Sequence, residues 1–146
     1  MDTATLRARF ERAVHEARPE FGQFFLARFF DIEVSYGEES CRVDLPVSDY
    51  LYNPQGSLHG GVLGFALDVS MGHLCNRFLS TAITLEMKTQ YLRPVKGDCY
   101  CIATFLKKGR RLAFVESRLF DESGKPAAMA TSTWMLLAPE SGQGGD

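Results

Sequence analysis

The stretch that decides the fold lies between residues 53 and 68 and reads Asn53-Pro54-Gln55-Gly56-Ser57-Leu58-His59-Gly60-Gly61-Val62-Leu63-Gly64-Phe65-Ala66-Leu67-Asp68. A polar, glycine-rich loop passes there into an apolar run, and residues 60–78 together have the length of a helix. The apolar residues lie on all sides of this helix, which is typical of a helix buried inside a fold. A carboxylate on such a helix is costly unless it is paired, hydrogen-bonded or neutral. Asp68 is therefore a candidate functional residue on physical grounds alone.

The spacing of His59 and Asp68 predicts a pair of chains. Nine positions separate the two residues, and on one helix nine positions correspond to roughly 13–14 Å of rise and about two and a half turns. The two side chains then leave opposite sides of the helix. If they act in one site, His59 of one chain must lie near Asp68 of another, and the site straddles a dimer interface.

The whole chain has the length and composition of one globular domain. It has 146 residues, of which 45% are hydrophobic and 23% charged, and this is ordinary for a soluble protein with a sizeable core. The net charge of −2 gives no electrostatic basis for binding nucleic acid or an anionic membrane. The charged start of the chain argues against a signal peptide, and no apolar run reaches spanning length. The cysteines lack the spacing of a disulfide framework or a zinc site, so we expect reduced thiols, no bound metal and a cytoplasmic protein.

The order of the elements predicts an α+β fold. Residues 3–18 are expected to form an amphipathic helix that Pro19 ends, and the phenylalanine-rich residues 20–30 a short helix or turn. Strands are expected at about 29–36 and 41–45 and, after the central helix, at roughly 81–93, 97–107, 111–121 and 127–138. Short turns between successive strands imply antiparallel neighbours. One sheet with one buried helix to cover is expected to wrap around that helix.

Two segments of the sequence resemble a known family. The first is Asn53-x-x-Gly56-x-Leu58-His59-Gly60-Gly61, followed by Asp68, and the second is Thr84-Leu85-Glu86-Met87-Lys88-Thr89-Gln90-Tyr91-Leu92-Arg93-Pro94. This pattern is similar to that of the hotdog-fold acyl-CoA thioesterases, and within them to the PaaI-like branch named for phenylacetate degradation. The resemblance covers about residues 28–138 and implies an antiparallel sheet wrapped around one long helix, in homodimers or homotetramers. We accordingly expect an N-terminal helical extension at residues 1–28, a hotdog thioesterase domain at 29–139 and a disordered tail at 140–146.

The resemblance implies hydrolysis of a thioester to a carboxylic acid and coenzyme A, with five catalytic positions. Asp68 takes the place of the general base or nucleophile, and the backbone N–H of Gly60 that of the group polarising the thioester carbonyl. His59 and Asn53 match residues that order the loop and assist carbonyl binding, and Thr84 matches a hydroxyl residue that orients the nucleophile. A helix N-terminus suits this chemistry because its free N–H groups and positive dipole end stabilise developing negative charge. No metal or redox cofactor is needed.

Further positions are candidates for binding the substrate. Gly61 would let the substrate approach the backbone closely. Arg110 and Arg111, in a basic hairpin tip, and Arg93 are candidates for the phosphates of coenzyme A, because arginine suits phosphate recognition. The phenylalanines between residues 21 and 30 would favour aromatic or medium-chain acyl groups if they line the acyl pocket. His73, one turn beyond Asp68, is expected to be a satisfied core or interface histidine.

Two other functions remain open from the sequence. A hotdog dehydratase or hydratase would pair a histidine with a carboxylate as acid and base, and hydration of a crotonyl thioester would distinguish it. A non-catalytic acyl-CoA binding module would bind tightly without turnover. The acyl group, the carrier of the thioester and the number of subunits are not decided by the residues.

Overall fold

A computed structural model describes residues 2–138. Its helices are α1 (Thr3–Glu16), α2 (Phe25–Phe29) and α3 (Gly60–Phe78), with one 3₁₀ turn at Asp49–Leu51. Its strands are β1 (Glu33–Gly37), β2 (Ser40–Leu45), β3 (Ala82–Tyr91), β4 (Cys99–Lys108), β5 (Leu112–Asp121) and β6 (Pro126–Leu136). No helix within residues 2–138 is long and apolar enough to cross a bilayer.

One antiparallel sheet contains all six strands, in the order β1-β2-β4-β5-β6-β3. Strands β2 to β6 pack against α3, so the sheet wraps around that helix as predicted. The core lies between them, with Leu67, Met71 and Leu74 of α3 packed on inward-facing residues such as Val115 and Leu119 of β5, all fully buried. The α+β hotdog architecture is confirmed.

The N-terminal elements lie beside this core. Asp2 caps α1, where its carboxylate accepts hydrogen bonds from the N–H groups of Ala4 and Thr5, as expected of an N-cap residue. Phe24 and Phe30 flank α2 and pack edge-to-face on Phe65 of α3.

The first strand was predicted to begin at residue 29, and this was wrong. Phe29 still belongs to α2, and Asp31 has a φ of 57°, a left-handed conformation that an extended strand cannot contain. The strand therefore begins at Glu33. The predicted domain boundary between residues 28 and 29 falls inside α2 and stays a prediction, and the tail at 140–146 lies outside the described residues.

Strand β3 forms one edge of the sheet and carries exposed apolar side chains. Ile83 and Leu85 are 45% and 52% exposed, and Tyr91 at the end of the strand is 54% exposed. Edge strands of folded proteins are normally shielded by charge, bulges or covering segments. Strand β3 has a bulge between Thr84 and Glu86 and exposed charges at Glu86 and Lys88, yet Ile83 and Leu85 remain uncovered within the described residues.

Candidate active site

Asp68 and Thr84 form a hydrogen-bonded pair between α3 and β3. The Thr84 hydroxyl donates to Asp68 Oδ1 at 2.8 Å. Burial of Asp68 raises the pKa of its carboxyl group above the ordinary value, and the hydrogen bond from Thr84 lowers that pKa in part. Asp68 is thus a partly desolvated carboxylate held in one orientation, as a general base or nucleophile requires.

A cavity of about 430 Å³ opens beside this carboxylate. Apart from Asp68 and Thr84, its walls are mostly apolar and aromatic, formed by Phe21, Phe24, Val69, Gly72, His73, Ala82, Ile83 and Trp134. Mostly apolar cavities with a few polar groups are the usual form of small-molecule sites. Of the phenylalanines between residues 21 and 30, Phe21 and Phe24 line this cavity.

His59 caps the start of α3. Its Nδ1 accepts a hydrogen bond of 2.9 Å from the N–H of Gly61, which makes this nitrogen the acceptor of the ring. The Nε2–H of this exposed side chain remains a donor. Gly61, predicted to admit the substrate, uses its own N–H in the cap.

The N–H of Gly60 differs from that of Gly61, because within residues 2–138 it has no hydrogen-bond acceptor. Gly60 is the first residue of the helix, where N–H groups have no intrahelical partner and carry the positive end of the helix dipole. It is therefore a ready donor to a carbonyl oxygen.

Asn53 shapes the loop that leads to this donor. Its Oδ1 accepts from the N–H groups of Gln55 and Ser57 at 3.0 and 3.2 Å, and its Nδ2 donates to the Ser57 hydroxyl at 3.1 Å. These bonds make Asn53 an internal brace of the loop.

Tyr91 is a site residue to which the sequence analysis gave no role. Its hydroxyl donates to the carbonyl of Gly60 at 2.8 Å, which ties the start of α3 to the end of β3. A Cβ at residue 60 would lie 3.3 Å from Tyr91 Cζ, so glycine there makes room for the ring. An aromatic residue at a strand end is too common to have indicated this role.

A second cavity, of about 370 Å³, lies at the start of α3. It is lined by Asn53, Gly60, Tyr91 and Arg93 among others, and it shares no lining residue with the cavity beside Asp68. Eight helical positions between Gly60 and Asp68 correspond to about 12 Å along the axis. One chain therefore brings Asp68 and Thr84 together, and Asn53, His59 and Gly60 together, but keeps the two groups apart.

The candidate phosphate-binding arginines are divided in the same way. The backbone N–H of Leu136 donates a hydrogen bond to the carbonyl of Arg111, which lies in the turn between β4 and β5. Leu136 is also the strand partner of Ala82, the first residue of β3. Arg93 follows the end of β3, a strand whose ten residues span about 30 Å. Arg110 and Arg111 thus lie at one end of β3 and Arg93 at the other.

The family model of the thioesterase superfamily matches residues 55–128. The chain belongs to this superfamily. It is 30% identical over 131 residues to a candidate esterase of Saccharolobus solfataricus, and the match covers 86% of this chain and 91% of that protein. It is also 30% identical over 99 residues to the medium/long-chain acyl-CoA thioesterase YigI of Escherichia coli, a match covering 56% of this chain and 64% of that protein.

Solved structures agree with this assignment. The protein BH2602 of Bacillus halodurans, crystallised with CoA, is similar with a TM-score of 0.80 and 26% identity, over 93% of this chain and 91% of that one. The PaaI protein of Escherichia coli matches with a TM-score of 0.77 and 18% identity, over 89% of this chain and 96% of that one, a likeness of fold. This hotdog-fold, PaaI-like protein is a thioester hydrolase.

Proposed function

We propose that this thioester hydrolase cleaves acyl-CoA, with Asp68 as the general base or nucleophile and the Gly60 N–H as the donor to the carbonyl oxygen. The observation that carries the proposal is the Asp68 carboxylate, hydrogen-bonded by Thr84 at 2.8 Å beside a mostly apolar cavity. As base, Asp68 removes a proton from water, which attacks the thioester carbonyl carbon. As nucleophile, it attacks that carbon itself and forms an anhydride that water then cleaves.

Negative charge develops on the carbonyl oxygen in either route. The Gly60 N–H stabilises it, helped by the positive end of α3, as oxyanion donors do. His59 and Asn53 hold this donor in place through the cap and the loop brace. Collapse of the tetrahedral intermediate then breaks the carbon–sulfur bond and expels coenzyme A as the thiolate, which takes up the proton that Asp68 removed from water or, in the nucleophilic route, a proton from solvent.

A homodimer would complete the site. Antiparallel pairing of β3 with β3 of a second chain would cover the exposed Ile83 and Leu85. It would also set the start of each strand against the end of the other, bringing Asp68 and Thr84 near Gly60 of the partner subunit. The same pairing would place Arg110 and Arg111 near Arg93 of the partner subunit, where arginines from both chains can bind the phosphates of coenzyme A. Pairing of dimers into a homotetramer is compatible with this arrangement.

The proposed function also includes the cellular compartment, the partners and the limits of the catalytic domain. All four cysteines are free and buried, which supports a reducing compartment such as the cytoplasm. We propose no nucleic-acid or membrane partner, a helical extension at residues 1–28 and a catalytic domain at 29–139.

Thiol release from a panel of acyl-CoAs tests the function. We expect release from aromatic or medium-chain acyl-CoAs, since the cavity beside Asp68 is apolar and aromatic. Thiol release from acyl carrier protein thioesters, but from no acyl-CoA, would show that the carrier is acyl carrier protein rather than coenzyme A. Hydration of crotonyl-CoA without thiol release would favour the hydratase, and tight binding without turnover the binding module.

The pH dependence tests the pairing of Thr84 with Asp68. The value of kcat/KM should rise with pH as Asp68 ionises, with a midpoint above the ordinary Asp value of 3.8 because burial raises the pKa of Asp68. Thr84→Val removes the hydrogen bond that lowers this pKa, so the rising limb should move to higher pH. Thr84→Ser keeps the hydroxyl and should leave the midpoint in place. A profile unaffected by Thr84→Val would contradict a functional pair.

A further inference from the structure

The ring of Tyr91 lies across the first turn of α3, at the point where the Gly60 N–H leaves the helix. A Cβ at Gly60 would be 3.3 Å from Tyr91 Cζ, and a Cβ at Gly64 would be 3.6 Å from the Tyr91 hydroxyl oxygen. Residues four apart lie on the same face of a helix. The two glycines therefore leave room on that face for the tyrosine, which is the last residue of β3.

The peptide unit between Gly60 and Gly61 is held on both sides. Its carbonyl oxygen accepts a hydrogen bond from the Tyr91 hydroxyl at 2.8 Å, and its N–H donates to His59 Nδ1 at 2.9 Å. A peptide unit is a rigid plane, so two hydrogen bonds at opposite atoms of the plane fix its orientation. The bond from His59 belongs to the helix cap, and the bond from Tyr91 ties the plane to the sheet.

The Gly60 N–H belongs to the preceding peptide unit, between His59 and Gly60. The carbonyl oxygen of that unit accepts hydrogen bonds from the N–H groups of Val62 and Leu63 at 2.9 and 3.2 Å. The two peptide units meet at the Cα atom of Gly60, and glycine leaves the backbone rotations at that atom unusually free. The direction of the Gly60 N–H therefore depends on how firmly the following peptide unit is held.

We propose that Tyr91 is a positioning residue for thioester hydrolysis, whose hydroxyl acts through the carbonyl of Gly60 to hold the Gly60 N–H in the direction of the substrate carbonyl oxygen. This proposal rests on the proposed function, because it takes the Gly60 N–H as the donor to that oxygen. Such donors are effective because they are fixed before the charge develops. A donor that turns more freely loses most in the transition state, where the charge is greatest, so the loss should appear in kcat.

The place of Tyr91 in the sheet connects this donor to the proposed interface between subunits. Strand β3 is an edge strand, and the Tyr91 side chain at its end is exposed in the single chain. Antiparallel pairing of β3 with β3 of a second chain would cover this edge. It would also exclude water from the hydrogen bond between Tyr91 and Gly60, and a hydrogen bond is stronger in such surroundings than in water.

Tyr91→Phe tests the proposal, because it removes the hydroxyl and keeps the ring. On the acyl-CoA that the wild type hydrolyses fastest, we expect kcat to fall about five- to ten-fold and KM to change by less than about two-fold. The rising limb of the pH profile should stay in place, because Asp68 sets it and the hydroxyl acts on the other group of the site. A higher KM with an unchanged kcat would show that the hydroxyl binds the substrate and would overturn the proposal.

Tyr52→Phe is the matched control, since the Tyr52 hydroxyl also donates to a backbone carbonyl, that of Lys96, at 2.5 Å. Both variants should lower the Tm slightly, but Tyr52→Phe should keep kcat within about two-fold of the wild type. Equal losses of kcat in the two variants would give Tyr91 a structural role only. An unchanged kcat in Tyr91→Phe, beside a large loss in Asp68→Asn, would overturn the inference and leave the proposed function standing. Hydrolysis of no acyl-CoA by the wild type would reject both.

Discussion

Asp68→Asn is expected to lower kcat by about 10²- to 10⁴-fold, the usual contribution of a positioned general base. The amide has the shape of the carboxylate and its oxygen can still accept the hydrogen bond that Thr84 donates, so the site should keep its geometry. It cannot take a proton from water or attack the carbonyl carbon. Steady-state thiol release measures the effect. Asp44→Asn, at a carboxylate on β2 that pairs with Arg42, serves as the control and should retain activity.

The same variant should be at least as stable as the wild type at neutral pH. Burial raises the pKa of Asp68 above its value in the unfolded chain, so the folded state binds the proton more tightly. Stability is therefore lost as pH rises from the unfolded pKa through the folded one, and a neutral amide avoids this loss. We expect the Tm of Asp68→Asn at pH 7 to equal or exceed that of the wild type. If Asp68→Asn keeps most of its activity, Asp68 is neither the general base nor the nucleophile.

Gly60→Pro is expected to lower kcat by about 10²- to 10³-fold, the usual effect of removing one oxyanion donor. Proline removes the backbone N–H at the position where a helix tolerates it, because Gly60 is the first helical residue, although its ring also adds bulk beside Tyr91. The preceding His59 has φ −61° and ψ 133°, an extended conformation that a following proline accepts. The helix should therefore form normally, which circular dichroism and the Tm will show.

Gly60→Ala separates the lost donor from the added bulk. It keeps the N–H and adds a Cβ 3.3 Å from Tyr91 Cζ, a contact that the exposed tyrosine ring can relieve by a small shift. We expect it to retain far more activity than Gly60→Pro. Equal losses in the two variants would attribute the effect to crowding and reject the Gly60 N–H as the oxyanion donor.

The part of the fold that the sequence predicted best is α3, whose bounds at residues 60 and 78 were predicted to the residue. Two strong local signals combine there, a glycine pair after a polar loop and an apolar run on all sides of the helix. The same burial identified Asp68 as a costly carboxylate, and in the structure Asp68 accepts a hydrogen bond from Thr84.

Features that depend on tertiary contacts could not be predicted. The start of β1 was misplaced because phenylalanine suits helices and strands alike, and the left-handed Asp31 has no strong local signal. The hydrogen bond from Tyr91 to Gly60 joins residues 31 positions apart. The hydrogen bond between the Tyr36 hydroxyl and His73 Nδ1 joins residues 37 positions apart, which periodicity does not report.

Each active site is proposed to contain residues of two chains, and complementation between inactive variants tests this arrangement most directly. Asp68→Asn and Gly60→Pro, each inactive alone, are co-expressed in equal amounts so that their subunits pair at random. If Asp68 of one subunit acts with Gly60 of its partner, about a quarter of all sites receive both intact residues, and the mixture should regain about a quarter of wild-type activity. If both residues act within one chain, every site contains a defect, and a mixture that stays as inactive as its parents would contradict the account.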